Sequence, residues 1–151
     1  MESQLQFHNL TPGNDIAIDD VTVQIGLINN LQKSIGYRVT WQEYSVAYIT
    51  DLQPEISELE QQSLINLIQG VDLLIANPNY ISSDFHDSET PIDCYWQIAV
   101  DLARKTDVKQ LVFSNHHPDS DDDFLDRVQA ALNIEFEPAS VAREGMVIPI
   151  N

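Results

Sequence analysis

The sequence predicts an α/β chain: one mixed β-sheet with helices on one face. Three observations carry this. The first third alternates apolar and polar residues between short turns, as half-buried strands do. From Glu55 onward the apolar residues recur at helical spacing in three separate stretches. Between those stretches lie short, continuously apolar runs, the mark of buried strands.

The segment Gly36 to Asp51 organises the chain. It reads as two apolar strands joined by a tight turn at Gln42-Glu43. The second strand runs into Asp51, and Pro54 soon after cannot extend a ladder. An acid at the end of a strand has a fixed direction and is well placed to act. It can equally serve only as a cap for the helix after Pro54.

Before that segment, Leu5 to Leu10 alternates, Thr11-Pro12-Gly13-Asn14 is a turn, Asp15 to Ile18 is a short strand and Asp19-Asp20 a turn. Val21, Val23, Ile25 and Leu27 form the buried face of the next strand, and residues 29–33 a loop. A helix is expected near Glu55 to Gln69, with Ile56, Leu59, Leu64, Leu67 and Ile68 inward. Pro54 sits near its start and Gly70 just past its end. Val71 to Ala76 reads as a strand covered on both faces. Asn77 to Asp93 is a long polar loop containing Asp84, His86, Asp87 and Glu89.

A second helix, Trp96 to Lys105, puts Trp96, Ala99, Val100 and Ala103 on one stripe. Val108 to Phe113 is another buried strand. Ser120 is expected to cap a third helix, with Asp121, Asp122 and Asp123 in its first turn and Phe124, Leu125, Val128, Ala131 and Leu132 facing the core. Two β segments, Ser140 to Arg143 and Met146 to Ile150, meet at Glu144-Gly145. No internal repeat or linker divides residues 1–151, so they form a single domain.

Composition narrows the function. Twenty-four acids face seven bases, a net charge of −17. Such a surface repels phosphate backbones and anionic lipid, which disfavours nucleic-acid and membrane roles and suits a basic partner. With 43% hydrophobic residues the chain can bury a core. Cys94 is the single cysteine, so no internal disulfide forms. That fits a reducing, cytoplasmic compartment. Met1-Glu2-Ser3-Gln4 opens no apolar run, and neither a signal peptide nor a membrane span is expected.

Several polar residues stand where a strand meets a loop: Asn30, Asp51, Asn77, Asn115 and His116. If these strand ends share one sheet edge, they converge as in a metallohydrolase site. Zinc-type ions want imidazole nitrogen and carboxylate oxygen, and most of these residues are amides. The Asp119 to Asp123 run lacks the glycine and distal glutamate of a calcium loop and reads as a solvated helix start.

Gly36-Tyr37-Arg38, Ala47 through Asp51, Asp72 through Ile75, Trp96 through Ala103, Val108 through Phe113 and Ala142 through Ile148 carry a family resemblance. Together they resemble the metallo-β-lactamase-fold metal-dependent hydrolases, in the branch related to ribonuclease Z and cyclic-nucleotide phosphodiesterases. The likeness runs from Leu5 to Ile148 and covers only the C-terminal half of that fold. It implies half of an αββα sandwich, a truncated domain whose sheet has lost its cover on one face. Val21, Val23, Ile25, Val39, Val46 and Tyr48 are the expected uncovered residues. A homodimer, a protein partner or the chain's own N-terminal strands would cover them.

The departures from the family bear on activity. The family's His-x-His-x-Asp-His signature is absent from the sequence. Asp51 matches the bridging metal ligand. Asn30 stands at a ligand histidine, and so does Asn115 when counted back from Pro118; a gapped alignment puts His116 there instead. Asp93 falls at a histidine that assists proton transfer, and Asn77 replaces an aspartate. His8 matches a structural residue of the family, and His86 reads as solvated. The expectation is therefore no cofactor and no catalytic residue, with Asp51 and His116 the weak candidates for a single divalent ion. Asp51 would be retained for hydrogen bonds to nearby loop backbone. Three functions follow: a non-catalytic binding or assembly module, a hydrolase half-site completed by a partner carrying the His-rich motif, or a small-ligand protein using Asn30, Asn115 and His116 as donors.

Overall fold

The computed structural model describes residues 9–29, 33–52, 56–77, 95–118 and 120–150. The strands are β1 (Asp15–Ile18), β2 (Val21–Asn29), β3 (Ser34–Trp41), β4 (Tyr44–Ile49), β5 (Leu73–Ala76), β6 (Gln110–Phe113) and β7 (Ala139–Val141). The helices are α1 (Glu58–Ile68), α2 (Tyr95–Lys105) and α3 (Asp122–Glu135). All seven strands form one sheet in sequential order.

β1 to β4 are antiparallel, and β4 to β7 are parallel. Two-residue turns join β1 to β2 at Asp19-Asp20 and β3 to β4 at Gln42-Glu43. The first residue of each turn is left-handed, at φ 52° and 53°. Trp41 Nε1 donates to Asp20 Oδ2 at 2.6 Å and ties the two turns together.

The parallel half explains where the helices sit. Each crossover, through α1, α2 and α3 in turn, moves one strand in the same direction. Crossovers of this kind are right-handed, so all three helices land on the same face. The main core lies there: Ile28, Ala47, Ile49, Leu74, Ala76, Leu111, Phe113, Ala139 and Val141 from the sheet meet Leu64, Leu67, Ile68, Trp96, Ala99, Val100, Ala103, Phe124, Val128 and Leu132 from the helices. α1 approaches so closely that a Cβ on Gly36 would stand 2.9 Å from Leu67 Cδ2, besides meeting Ile28 Cδ1 at 2.8 Å and the Tyr48 carbonyl oxygen at 3.1 Å within the sheet.

Register places the alternate residues on the opposite face. Val21, Val23, Ile25 and Leu27 of β2 pair with Trp41, Val39, Tyr37 and Ile35 of β3. Tyr44, Val46 and Tyr48 of β4 and Leu73 and Ile75 of β5 continue the rows. Val39, Trp41 and Tyr48 are 40%, 45% and 40% exposed. Val21, Val23 and Val46 are half-buried, whereas Ile25 is buried. The Gly13 amide donates to the Ile25 carbonyl at 2.8 Å and holds the loop before β1 against the edge of that strand. At the other end Leu73 and Val112 are buried, and Gln110 Nε2 donates to the Pro149 carbonyl at 3.0 Å.

Several expectations are corrected. α1 begins after Ser57, which forms a capping box with Glu60, so Asp51 does not cap it. Glu60 is buried by that exchange, and Leu59, expected inward, is 74% exposed. Asp121, not Ser120, caps α3: its backbone is extended and its carboxylate accepts from the Phe124 amide at 2.7 Å. Of the two expected last strands only Ala139–Val141 joins the ladder, and residues 146–150 form none. The turn between them does form: Gly145 has φ 76°, and the Met146 amide donates to the Arg143 carbonyl at 3.0 Å. Gly70 follows α1 at φ 63°, as expected for a residue just past a helix. His8, His86, Pro54, Asp119 and most of the expected strand Leu5 to Leu10 lie outside the described residues.

Polar side chains tie the sheet to its helices and its strands to one another. Arg38 of β3 donates to the Gln69 carbonyl at 2.9 Å, at the negative end of α1. Asp72 is buried before β5 and accepts from the Ser45 amide and from Lys109 Nζ, each at 2.6 Å. Burial alone would push its carboxyl up. The Lys109 ammonium and the Ser45 amide and hydroxyl outweigh that and hold it below its ordinary 3.8. On the outer edge of β7, Gln129 of α3 donates to the Ala139 carbonyl at 3.2 Å and accepts from the Val141 amide at 2.8 Å. One side chain thus occupies an acceptor and a donor that a further strand would use.

Candidate functional site

β2 runs parallel to β4, because β3 is antiparallel to both. The ends of β2, β4, β5, β6 and β7 and the start of β3 therefore lie on one edge of the sheet. That edge collects Asn29, Ser34, Asp51, Asn77, Asn115, His116 and Ala142. The convergence of strand ends expected from sequence is present for Asp51, Asn77, Asn115 and His116. Asn30 and Asp93 lie outside the described residues.

The ladder continues into the loops. The Asn77 amide donates to Ile49, Ser114 to Ala76 and Ala142 to Phe113, at 3.1, 3.0 and 2.8 Å. Asp51 and Asn115 each stand two residues past their strand, and both adopt left-handed backbone, at φ 55° and 57°. Asparagine and aspartate tolerate this conformation better than most residues. Asn115 thus has a backbone reason for its identity, and it is exposed.

The two weak candidates for an ion lean apart. Asp51 Oδ2 accepts from Ser34 Oγ and from Thr50 Oγ1, each at 3.0 Å, so its carboxylate turns toward β3. These hydroxyls stand where loop backbone donors were expected. His116 Nε2 donates to the Ala142 carbonyl at 3.2 Å and turns toward β7. β4 and β6 are separated by β5, about 10 Å at the usual strand spacing. Burial lowers the His116 pKa below 6.5; the Ala142 carbonyl opposes this and the Arg143 charge adds to it. Its surroundings thereby favour the neutral ring.

Sequence reasoning missed Ser34, Thr50, Asn29 and the Ala142 carbonyl. Asn29 is buried beside an irregularity in the β2–β3 register, between Leu27 and Asn29. Ser34 meets Asp51 only through the register of β3 on β4, which composition does not reveal. Clefts of about 490 and 560 Å³ open beside β1, away from this edge; Asp15 and Ile25 line both.

Among the described residues, no three His, Cys, Asp or Glu side chains gather as a metal site. The donor set among the described residues is the Asp51 carboxylate held by two hydroxyls, the His116 imidazole bonded to a carbonyl, the exposed His117, and amides. It does not fit a dinuclear zinc centre, which needs several imidazoles and carboxylates directed at common points.

The sheet with its one helical layer is half of the metallo-β-lactamase fold. The chain is similar to YhfI of Bacillus subtilis, a metallo-β-lactamase-fold protein (TM-score 0.63, 15% identity, covering 91% of this chain and 52% of that one). Human tRNase Z, short form, is similar at TM-score 0.56 and 17% identity, over 90% of this chain and 46% of that one. Zinc-bound PqqB from Methylobacterium extorquens is similar at TM-score 0.58 and 13% identity, over 93% and 54%. The chain thus spans about half the length of the solved structures it matches. No family model matches the sequence, and a search of curated proteins finds no match. No helix among the described residues is long and apolar enough to cross a membrane.

Proposed function

We propose that this chain is a non-catalytic module of metallo-β-lactamase fold that binds or assembles through the uncovered face of its sheet. The supporting observation is the exposure of Val39, Trp41 and Tyr48 on the face opposite the helices. In the complete fold that face packs against a second sheet. An apolar face of this kind is an interaction surface. The occupant is a protein layer, because the net charge of −17 repels nucleic acid and anionic membrane. The single cysteine suits a cytoplasmic setting.

The non-catalytic half of the reading is supported by the row of strand ends. Asp51 and His116 turn toward opposite neighbours and serve as hydrogen-bond partners of the fold. Two measurements test the whole. Zinc titration of the purified chain, with a phosphodiester chromogenic substrate, should show no retained ion and no turnover. Two retained ions with turnover that Asp51→Ala abolishes would overturn it. At native level in its own cells, the chain should migrate in a complex that Val39→Glu dissociates. A free monomer there would remove the assembly role.

A further inference from the structure

We propose that the uncovered face docks a second copy of this chain, sheet on sheet, with the helices outside. The proposal rests on the assembly reading above and names the occupant.

The first ground is charge. No described strand residue on that face is charged. The charged residues of the sheet itself, Asp15 and Arg38, take register positions on the helix side, paired with each other's neighbour Gln24. Charged residues are 21% of the chain, so this neutral face is an exception within it. The Asp20 carboxylate, in the turn at the rim of the face, is engaged by Trp41 Nε1, and a basic partner would meet no carboxylate along the strands. A copy carrying the same −17 meets no like charge from those strands, whereas elsewhere acids would oppose acids.

The second ground is shape. The paired residues Val23, Val39 and Val46 form a row of short side chains across β2, β3 and β4. Trp41 and Tyr44 pair on one side of it, and Tyr37 and Tyr48 on the other. The face is therefore a valine trough between two aromatic ridges. A two-fold axis between the valine row and the Tyr37–Tyr48 row lays each copy's tyrosines in the other's trough. One patch then serves as both knob and hole, the requirement of an isologous interface.

The size of the face sets the affinity. Same-face positions repeat about every 6.7 Å along a strand and about 4.8 Å across strands, so β1 to β4 offer roughly 400 Å² of flat footprint. Side-chain relief enlarges this toward, but not beyond, the ~800 Å² per partner of ordinary stable complexes. The dimer belongs in the micromolar range on the order-of-magnitude scale of small interfaces. Repulsion between the two charged bodies falls as salt rises, so the dimer tightens with salt.

Sedimentation equilibrium of the purified full chain in about 0.05 M and 0.5 M salt tests this. The expected result is a dimer whose dissociation constant falls at least tenfold at the higher salt. Val39→Glu puts a charge in the trough, and Val39→Phe fills it without charge. Both should give monomers with unchanged circular dichroism. A wild-type chain that stays monomeric throughout overturns the proposal, and so does a dimer indifferent to both substitutions. A monomer when pure that is nevertheless held in a Val39-dependent complex in its own cells removes the second copy and leaves the assembly reading standing.

Discussion

Asp72 shows how much one side chain can hold in this sheet. It is buried, and its carboxylate joins the start of β4 to the start of β6 through Ser45 and Lys109. Its folded pKa is depressed, so its stabilisation is present above the ordinary 3.8 and is lost as pH falls through the folded value. Asp72→Asn should cost about 2 kcal/mol at neutral pH, the scale of a buried charge-assisted hydrogen bond. Urea unfolding should show that deficit shrinking below pH 4. His116 works in the other window. Its folded pKa is also lowered, but for an imidazole this means the neutral form is preferred. The unfolded chain binds the extra proton, so stability falls as pH drops below 6.5. His116→Gln keeps a donor for the Ala142 carbonyl and cannot titrate. Its urea midpoint should change less than that of the wild type between pH 8 and pH 5. From sequence, Asp51, Asn77, Asn115 and His116 could be placed at strand ends, because an apolar run stops visibly. Their partners could not, because Ser34 and Ala142 are chosen by strand register and by which way a side chain leans.

The elements were read well where periodicity was unbroken. β1 to β4, with both two-residue turns, follow from alternation, and the stripe of α2 is buried as expected. Misreadings fell at ends. A serine and an aspartate are both good caps, and only the extended backbone of Asp121 decides between Ser120 and Asp121. Leu59 fits the helical stripe of α1, yet the capping box turns Glu60 inward instead and leaves the leucine at the first turn outside. The close seating of α1 on β2 and β3 was not legible either, since it depends on Gly26 and Gly36 lying under Leu67. Gly36→Ala should therefore destabilise. Its Cβ would meet the Tyr48 carbonyl, which belongs to the ladder and cannot swing away. Overpacking of this kind costs about 1–3 kcal/mol. A thermal melt that matches the wild type would show that α1 can slide without loss.

At the scale of the molecule, the sequence indicated helices on one face of the sheet, and three same-direction crossovers explain why the described helices share a face. What composition could not show is where the charge is absent. The −17 is a sum, whereas the neutrality of one face appears only once register assigns each residue a side. The two ends of the sheet differ as well, and Gln129 is the reason. Gln129→Ala should free the outer Ala139 carbonyl and Val141 amide of β7. Light scattering of that variant should reveal species larger than a dimer, growing with salt, where the wild type stays finite. Among the described residues no side chain does the same for β1. A sheet with one stopped end cannot string its copies head to tail, since each link in such a chain consumes two unlike ends. Edge pairing by itself then joins β1 to β1 and stops at two. The Gln129 amide thus closes the head-to-tail route to a filament.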